Sequence, residues 1–223
     1  MSFDRIAPWY DWAERCTAGP LLQRARVTWL DDLADRRHVL SAGEGHGRFA
    51  AALRQKYPDT ALTCLEQSRG MAAVADRRLA RAGTTTCWIH DDATRWVPTP
   101  ASYDAIATHF FLDCFDPATL SDVIARLADA ATDDAVWLVT DFALPPAGPR
   151  RWRAAVMHAV MYRCFRWATD LRTDRLTPPD DDLRARGFVL RHRREYSWGL
   201  VRADVWQRAT VRAIGSCKHT SGI

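Results

Sequence analysis

The segment His38-Val39-Leu40-Ser41-Ala42-Gly43-Glu44-Gly45-His46-Gly47-Arg48-Phe49 runs from an apolar strand into a turn with glycine at every second position, then into a helix. Glycines there let the chain turn tightly and let a ligand lie against the main chain, where a side chain would block it. A second apolar run, Ala61-Leu62-Thr63-Cys64-Leu65, ends in Glu66, 19 residues after Gly47 and 23 after Gly43. A carboxylate at that place can accept both hydroxyls of a bound ribose. A third run leads into His90-Asp91-Asp92-Ala93, where an acid can take the exocyclic amine of an adenine or simply begin a loop or cap.

Further along, Tyr103-Asp104-Ala105-Ile106-Ala107-Thr108-His109-Phe110-Phe111-Leu112-Asp113-Cys114-Phe115 reads as a strand and the loop beyond it, and Asp141 closes another strand in Val139-Thr140-Asp141-Phe142. In a doubly wound sheet ligands meet the carboxyl ends of the strands, so His109, Asp113 and Asp141 fall where a reacting group would be presented. Each also has a structural reading: a hydrogen-bonded core histidine, a cap for the helix starting near Pro117, and a loop-ordering acid.

The elements that must position these residues are legible in the alternation of short apolar runs with helical segments, the pattern of parallel strands joined by crossover helices. Strands are expected at His38–Ala42, Ala61–Glu66, Thr86–His90, Tyr103–His109 and Ala135–Phe142, followed by an antiparallel pair at Val189–Tyr196 and Leu200–Gln207. Helices are expected near Gly47–Lys56, Ser68–Ala82, Pro117–Ala131 and Asp180–Arg186. The fold class is α/β, a Rossmann-like doubly wound sheet of seven mostly parallel strands. Residues 1–37 read as an N-terminal helical cap, with helices around Asp4–Arg15 and Leu21–Leu33. Residues 38–212 read as the main domain, carrying a helical lid insertion at 149–177, and residues 213–223 as a flexible tail.

Composition limits the classes available. The 223 residues are 48% hydrophobic and 26% charged with a net charge of +4, the composition of a water-soluble globular protein. No apolar run approaches the roughly 20 residues of a membrane span, and the N-terminus lacks a signal-peptide core, so a cytoplasmic location is expected. The six cysteines form no Cys-x-x-Cys pair and none lies near a His at finger spacing, so neither a disulfide framework nor a metal site is expected. The basic excess is local, with 12 Arg against 5 Asp in residues 150–194. There Arg alternates with apolar side chains at helical spacing, as on an amphipathic lid helix with solvated Arg. An anionic substrate, a membrane surface or RNA are the other readings of that stretch.

Spacing separates two cofactor classes. Dinucleotide sites show Gly-x-Gly-x-x-Gly with the pyrophosphate on a helix N-terminus, whereas the third glycine here comes one position early, as Gly43-x-Gly45-x-Gly47. A nicotinamide-dependent oxidoreductase, the competing enzyme class, would share the loop and Glu66 but lacks that spacing and a clear Tyr-x-x-x-Lys pair here. The three motifs in this order resemble those of the class I S-adenosylmethionine-dependent methyltransferases, over roughly residues 37–142. The resemblance implies that Gly43, Gly45 and Gly47 lie along the methionine part of the cofactor, Glu66 binds the ribose, and Asp92 with Ala93 borders the adenine. Gln67 and His109 join that cofactor-binding set. The opening Phe3-Asp4-Arg5-Ile6-Ala7-Pro8-Trp9-Tyr10-Asp11 resembles the ubiquinone/menaquinone biosynthesis group, in which the Tyr-Asp segment closes over the cofactor, and Tyr10 is the residue so placed. The pattern departs at Ser41, where an acid usually helps anchor the cofactor's ammonium group; Glu44 is the candidate to compensate. His46 is larger than the usual residue of the loop.

The resemblance implies in-line transfer of a methyl group from S-adenosylmethionine to a small-molecule acceptor, aromatic or prenylated, leaving S-adenosylhomocysteine. His109 is the first choice of general base because imidazole titrates near neutrality, with Asp113 or Asp141 orienting it or the substrate. A nucleotide-binding protein without catalysis is the third reading, with Ser41 as its hint. A nucleic-acid partner rests on the basic segment alone and is not expected, nor is a peripheral membrane contact.

Overall fold

The computed structural model describes residues 19–143 and 176–209. The helix expected over 4–15, Tyr10, nearly all of the insertion and the tail lie outside the described residues. The apolar runs form β1 (His38–Ala42), β2 (Ala61–Leu65), β3 (Cys87–Ile89), β4 (Tyr103–His109), β5 (Ala131–Phe142), β6 (Phe188–Tyr196) and β7 (Val201–Arg208). They make one sheet in the order β3-β2-β1-β4-β5-β7-β6. The first five strands pair in parallel, and β7 lies antiparallel between β5 and β6. The helices are α1 (Gly19–Arg26), α2 (Arg48–Lys56), α3 (Arg69–Arg81), α4 (Pro117–Ala130) and α5 (Asp180–Ala185), with 3-10 turns at Leu30–Leu33 and Leu112–Cys114.

Strict alternation along the central strands divides the core between two faces of the sheet. Leu40, Ile106, Trp137 and Val139 point to the face covered by Leu120, Ile124 and Leu127 of α4. Val39, Ala105, Ala107, Val136 and Leu138 point to the other, covered by Phe49 and Leu53 of α2 and Leu79 of α3. Trp137 and Trp206 sit opposite each other on β5 and β7 and are fully buried. At about 25 cal/mol per Å² each contributes on the order of 5 kcal/mol before the entropy of ordering is counted. The Trp137 Nε1–H donates to Thr108 Oγ1 at 3.0 Å, so the polar handle of that ring is satisfied inside the core.

Two elements differ from expectation, each for a visible reason. The helix expected over Leu21–Leu33 ends at Arg26; the Thr28 hydroxyl donates back to the Arg24 carbonyl at 2.8 Å, and Trp29 Nε1–H donates to Ala203 O on β7 at 3.0 Å. Strand β5 starts at Ala131, before the expected Ala135, because Ala131 pairs with Tyr103 ahead of a register shift. The polar Thr132-Asp133-Asp134 that fills the shift reads as loop from sequence.

On the β6–β7 side, the fully buried Asp204 carboxylate accepts Arg193 Nε and Nη2 and Arg202 Nε, all at 2.9 Å. Asp180, the first residue of α5, accepts Nη2 of both arginines at 2.6 Å. Charges of alternating sign thus fix α5 to the antiparallel pair. Strand β6, at the end of the sheet, carries a bulge between Leu190 and His192 and exposes Arg191 and Arg194.

Candidate active site

The carboxyl ends of β1, β2 and β4 border a cleft of about 400 Å³, within the size range of small-molecule sites. Its floor is the turn after β1. Gly43 has φ +68°, and a Cβ there would run into the Phe111 ring from the loop after β4. A Cβ on Gly45 would meet nothing nearer than Gly43 O at 4.0 Å, so the main chain is bare toward the cleft. Gly47 serves differently: it is buried behind the wall, and a Cβ would lie 2.7 Å from Ala75 Cβ. It lets α2 pack against α3 and does not line the cleft.

Buried acids hold this floor. The Ser41 hydroxyl donates to Glu44 Oε2 at 2.6 Å, and Glu44 Oε1 accepts the Ala50 N–H at 3.0 Å, tying the turn to the first turn of α2. Glu44 therefore brings a carboxyl group directly onto Ser41; burial raises its pKa. Glu66 accepts Gly45 N–H at 2.9 Å on one oxygen and Ser68 N–H at 2.8 Å on the other. Asp92 Oδ1 takes the backbone N–H and hydroxyl of Thr94 at 2.9 and 2.8 Å, and Gln67 Nε2 lies 3.5 Å from its other oxygen. Gln67, Asp92 and Ala93 line the far end of the cleft. The large His46 ring accepts Arg48 Nε–H at 2.9 Å and is buried, so its bulk packs into the wall.

His109 lies on the opposite wall against Phe49, ring centroids 4.4 Å apart. It is 9% exposed, and neither ring nitrogen has a hydrogen-bond partner among the described residues. Burial, aided by the positive charge of Arg26, lowers its pKa to about 3. A neutral imidazole of that kind is a hydrogen-bonding group and a weak base.

Asp113 and Asp141 do not line the cleft, although all three polar residues stand at the same edge. His109 shares its parity with Ala105 and Ala107, whereas Asp141 shares that of Trp137 and Val139, so their side chains leave opposite faces of the sheet. Asp141 Oδ1 accepts Phe111 N–H at 3.0 Å, and Asp113 accepts the Phe142 N–H. The two acids tie the β4 loop to the end of β5. Burial pushes Asp113 up to about 6, and burial plus the neighbouring Asp113 raises Asp141 further. Phe110 opens this loop at φ +54°, a strained position for a bulky residue.

Among the cleft residues that escape sequence reasoning are Arg26, Phe49 and Phe111. Arg26 had a readable signal. With Leu22, Ala25 and Trp29 it falls at i, i+3, i+4 and i+7, a charge on an apolar stripe. Among the described residues no His/Cys/Asp/Glu group is arranged to hold a metal, and no helix is long and apolar enough to cross a membrane.

A bare glycine floor, an acid at the end of β2, a further acid after β3 and a polar ring opposite with no partner among the described residues line one cleft of a doubly wound domain. Residues 39–134 match the methyltransferase-domain family, and S-adenosylmethionine is the cofactor of that domain. No curated protein matches the sequence. Among solved structures, mitomycin 7-O-methyltransferase is 19% identical with a TM-score of 0.67, over 94% of this chain and 61% of that one. The pyocyanin biosynthetic protein PhzM is 20% identical with a TM-score of 0.67, over 94% and 62%. The 1,6-didemethyltoxoflavin-N1-methyltransferase of Burkholderia thailandensis, solved with 1,6-didemethyltoxoflavin and S-adenosylhomocysteine, is 16% identical with a TM-score of 0.62, over 92% and 85%. These likenesses establish the fold. The chain spans about three fifths of the length of the first two.

Proposed function

We propose that the chain is an S-adenosylmethionine-dependent methyltransferase acting on a small molecule. The observation that carries this reading is the bare Gly45 main chain held by Glu66, with His109 across the cleft and without a partner among the described residues. When bound, the cofactor supplies an activated methyl and a neutral leaving group, so positioning is the main task left to the protein.

Glu66 accepts the ribose hydroxyls while its N–H partners fix its rotamer. Asp92, oriented by Thr94, takes the adenine amine beside Ala93, and Gln67 closes that end. Glu44, aligned by Ser41 and Ala50, receives the ammonium group that an acid at position 41 would otherwise meet. His109 accepts the hydrogen bond of an acceptor hydroxyl. Its proton moves to the ring only as the methylated oxygen becomes cationic and far more acidic than imidazolium, so a weak base suffices. Asp113 and Asp141 act as positioning residues through the Phe110–Cys114 loop.

The acceptor is read as aromatic or prenylated, supported by the resemblance of Phe3–Asp11 to the quinone-biosynthesis group and by apolar Phe49, Phe110 and Phe111 on the cleft wall. Calorimetric titration with S-adenosylmethionine, S-adenosylhomocysteine and NAD tests the cofactor. Binding of the first two, weakened at least roughly a hundredfold in Glu66→Ala by loss of several charge-assisted hydrogen bonds, is expected. Saturable binding of NAD alone overturns the reading.

A further inference from the structure

We propose that the Phe111 ring is an autoinhibitory cover on the glycine turn: in the ligand-free chain it takes the space that the cofactor's amino-acid arm needs, and binding turns it away. The proposal rests on the S-adenosylmethionine reading and assigns a regulatory contact to a residue that none of the three motifs contains.

The two glycines that line the cleft are not equally open. A Cβ on Gly45 would meet only Gly43 O at 4.0 Å, whereas one on Gly43 would lie 2.1, 2.5 and 2.8 Å from three carbons of the Phe111 ring. The chain's own side chain therefore occupies the space over one of the two, and a ligand lying against both must displace it. Phe110, just before the ring, has φ +54°, a costly conformation for a bulky residue. The Phe111 N–H is bonded outside the sheet ladder, to the side-chain oxygen Asp141 Oδ1 at 3.0 Å, and the chain runs on into the short 3-10 turn Leu112–Cys114. The ring is half-buried and meets Phe115 edge to face, centroids 5.1 Å apart. Phe115 and Met71 line the same cleft, so apolar surface is at hand for the ring once it leaves Gly43. A cover of this kind lowers the apparent affinity by the fraction of chains in which it stands open. Removing it strengthens binding, the opposite of removing a wall of the site.

The test is calorimetric titration of the full chain, Phe111→Ala and Phe111→Leu with two probes. S-Adenosylhomocysteine carries the amino-acid arm, and 5′-methylthioadenosine keeps the nucleoside without it. In Phe111→Ala, S-adenosylhomocysteine is expected to bind about threefold to thirtyfold tighter, as for an open state populated at roughly 3–30%, with 5′-methylthioadenosine within about twofold. Phe111→Leu, which covers less of Gly43, should fall between. Unchanged or weaker S-adenosylhomocysteine binding in Phe111→Ala overturns the proposal, as does equal tightening of both probes. A second measurement needs no variant: the nuclear Overhauser contact between the Phe111 ring and the Gly43 Hα protons should be present in the free chain and lost on saturation with S-adenosylhomocysteine. Its absence from the free chain, or its persistence in the complex, overturns the proposal. If neither probe binds the parent chain or either variant, the methyltransferase reading itself fails, an outcome separate from failure of the Phe111 assignment alone.

Discussion

The acids at the ends of β1 and β2 and those at the β4–β5 end are equally buried but are handled in opposite ways. Glu44 and Glu66 collect N–H and O–H donors from Ser41, Gly45, Ala50 and Ser68 and still border the cleft. Asp113 and Asp141 are sealed away from the cleft, each taking a backbone N–H and each made harder to ionise by burial, Asp141 also by the neighbouring Asp113. The first pair faces the cleft; the second fastens a loop. A carboxylate's sequence position near a strand end does not distinguish these roles, but its parity and its donors do.

The comparison breaks most visibly at Glu44. Glu44→Ala strands the buried Ala50 N–H and Ser41 hydroxyl, and at about 1–3 kcal/mol for each unmet group it should lower unfolding free energy by roughly 2–5 kcal/mol in urea denaturation. It should also weaken S-adenosylhomocysteine binding. An unaltered midpoint would mean the floor is held by something else. Next in size is Asp113→Asn. Because the Asp113 pKa is raised from 3.8 to about 6 in the folded chain, its contribution to stability is full below about pH 4 and is lost as pH rises through about 6. The substitution should remove that slope, on the order of 2–3 kcal/mol, leaving the variant as stable as the parent or more so at pH 7. A parallel pH profile in both proteins would contradict the sealed-pair description. The smallest effect is at His109. Held at about 3, its ring should show no titration between pH 5 and 8 in nitrogen NMR spectra of the ligand-free protein. A midpoint near 6.5 would restore it as a general base.

Much of this is legible in the sequence. Strands β1 and β4 have the expected bounds, because apolar runs ended by glycine or polar turns are local signals. Gly45, Glu66 and Asp92 were legible for the same reason: each sits where a strand must stop. Gly47 was grouped with its neighbours because spacing alone cannot tell a glycine that faces a ligand from one that faces another helix. Asp141 was placed beside His109 by edge, while counting alternate residues from Ile106 and Trp137 would have put them on opposite faces. Arg26 escaped because its importance depends on how α1 lies across the sheet, a tertiary fact only hinted at by a charge on an apolar stripe.

Among the described residues, the two margins of the sheet end differently. Strand β3 has three residues and offers little backbone for another chain to pair with, whereas β6 runs for nine, from Phe188 to Tyr196. The bulge after Leu190 and the charged Arg191 and Arg194 make that longer margin a poor template for strand addition. Replacing Arg191 and Arg194 with threonine is therefore expected to raise light scattering at high protein concentration, with β6 as the strand that pairs between copies.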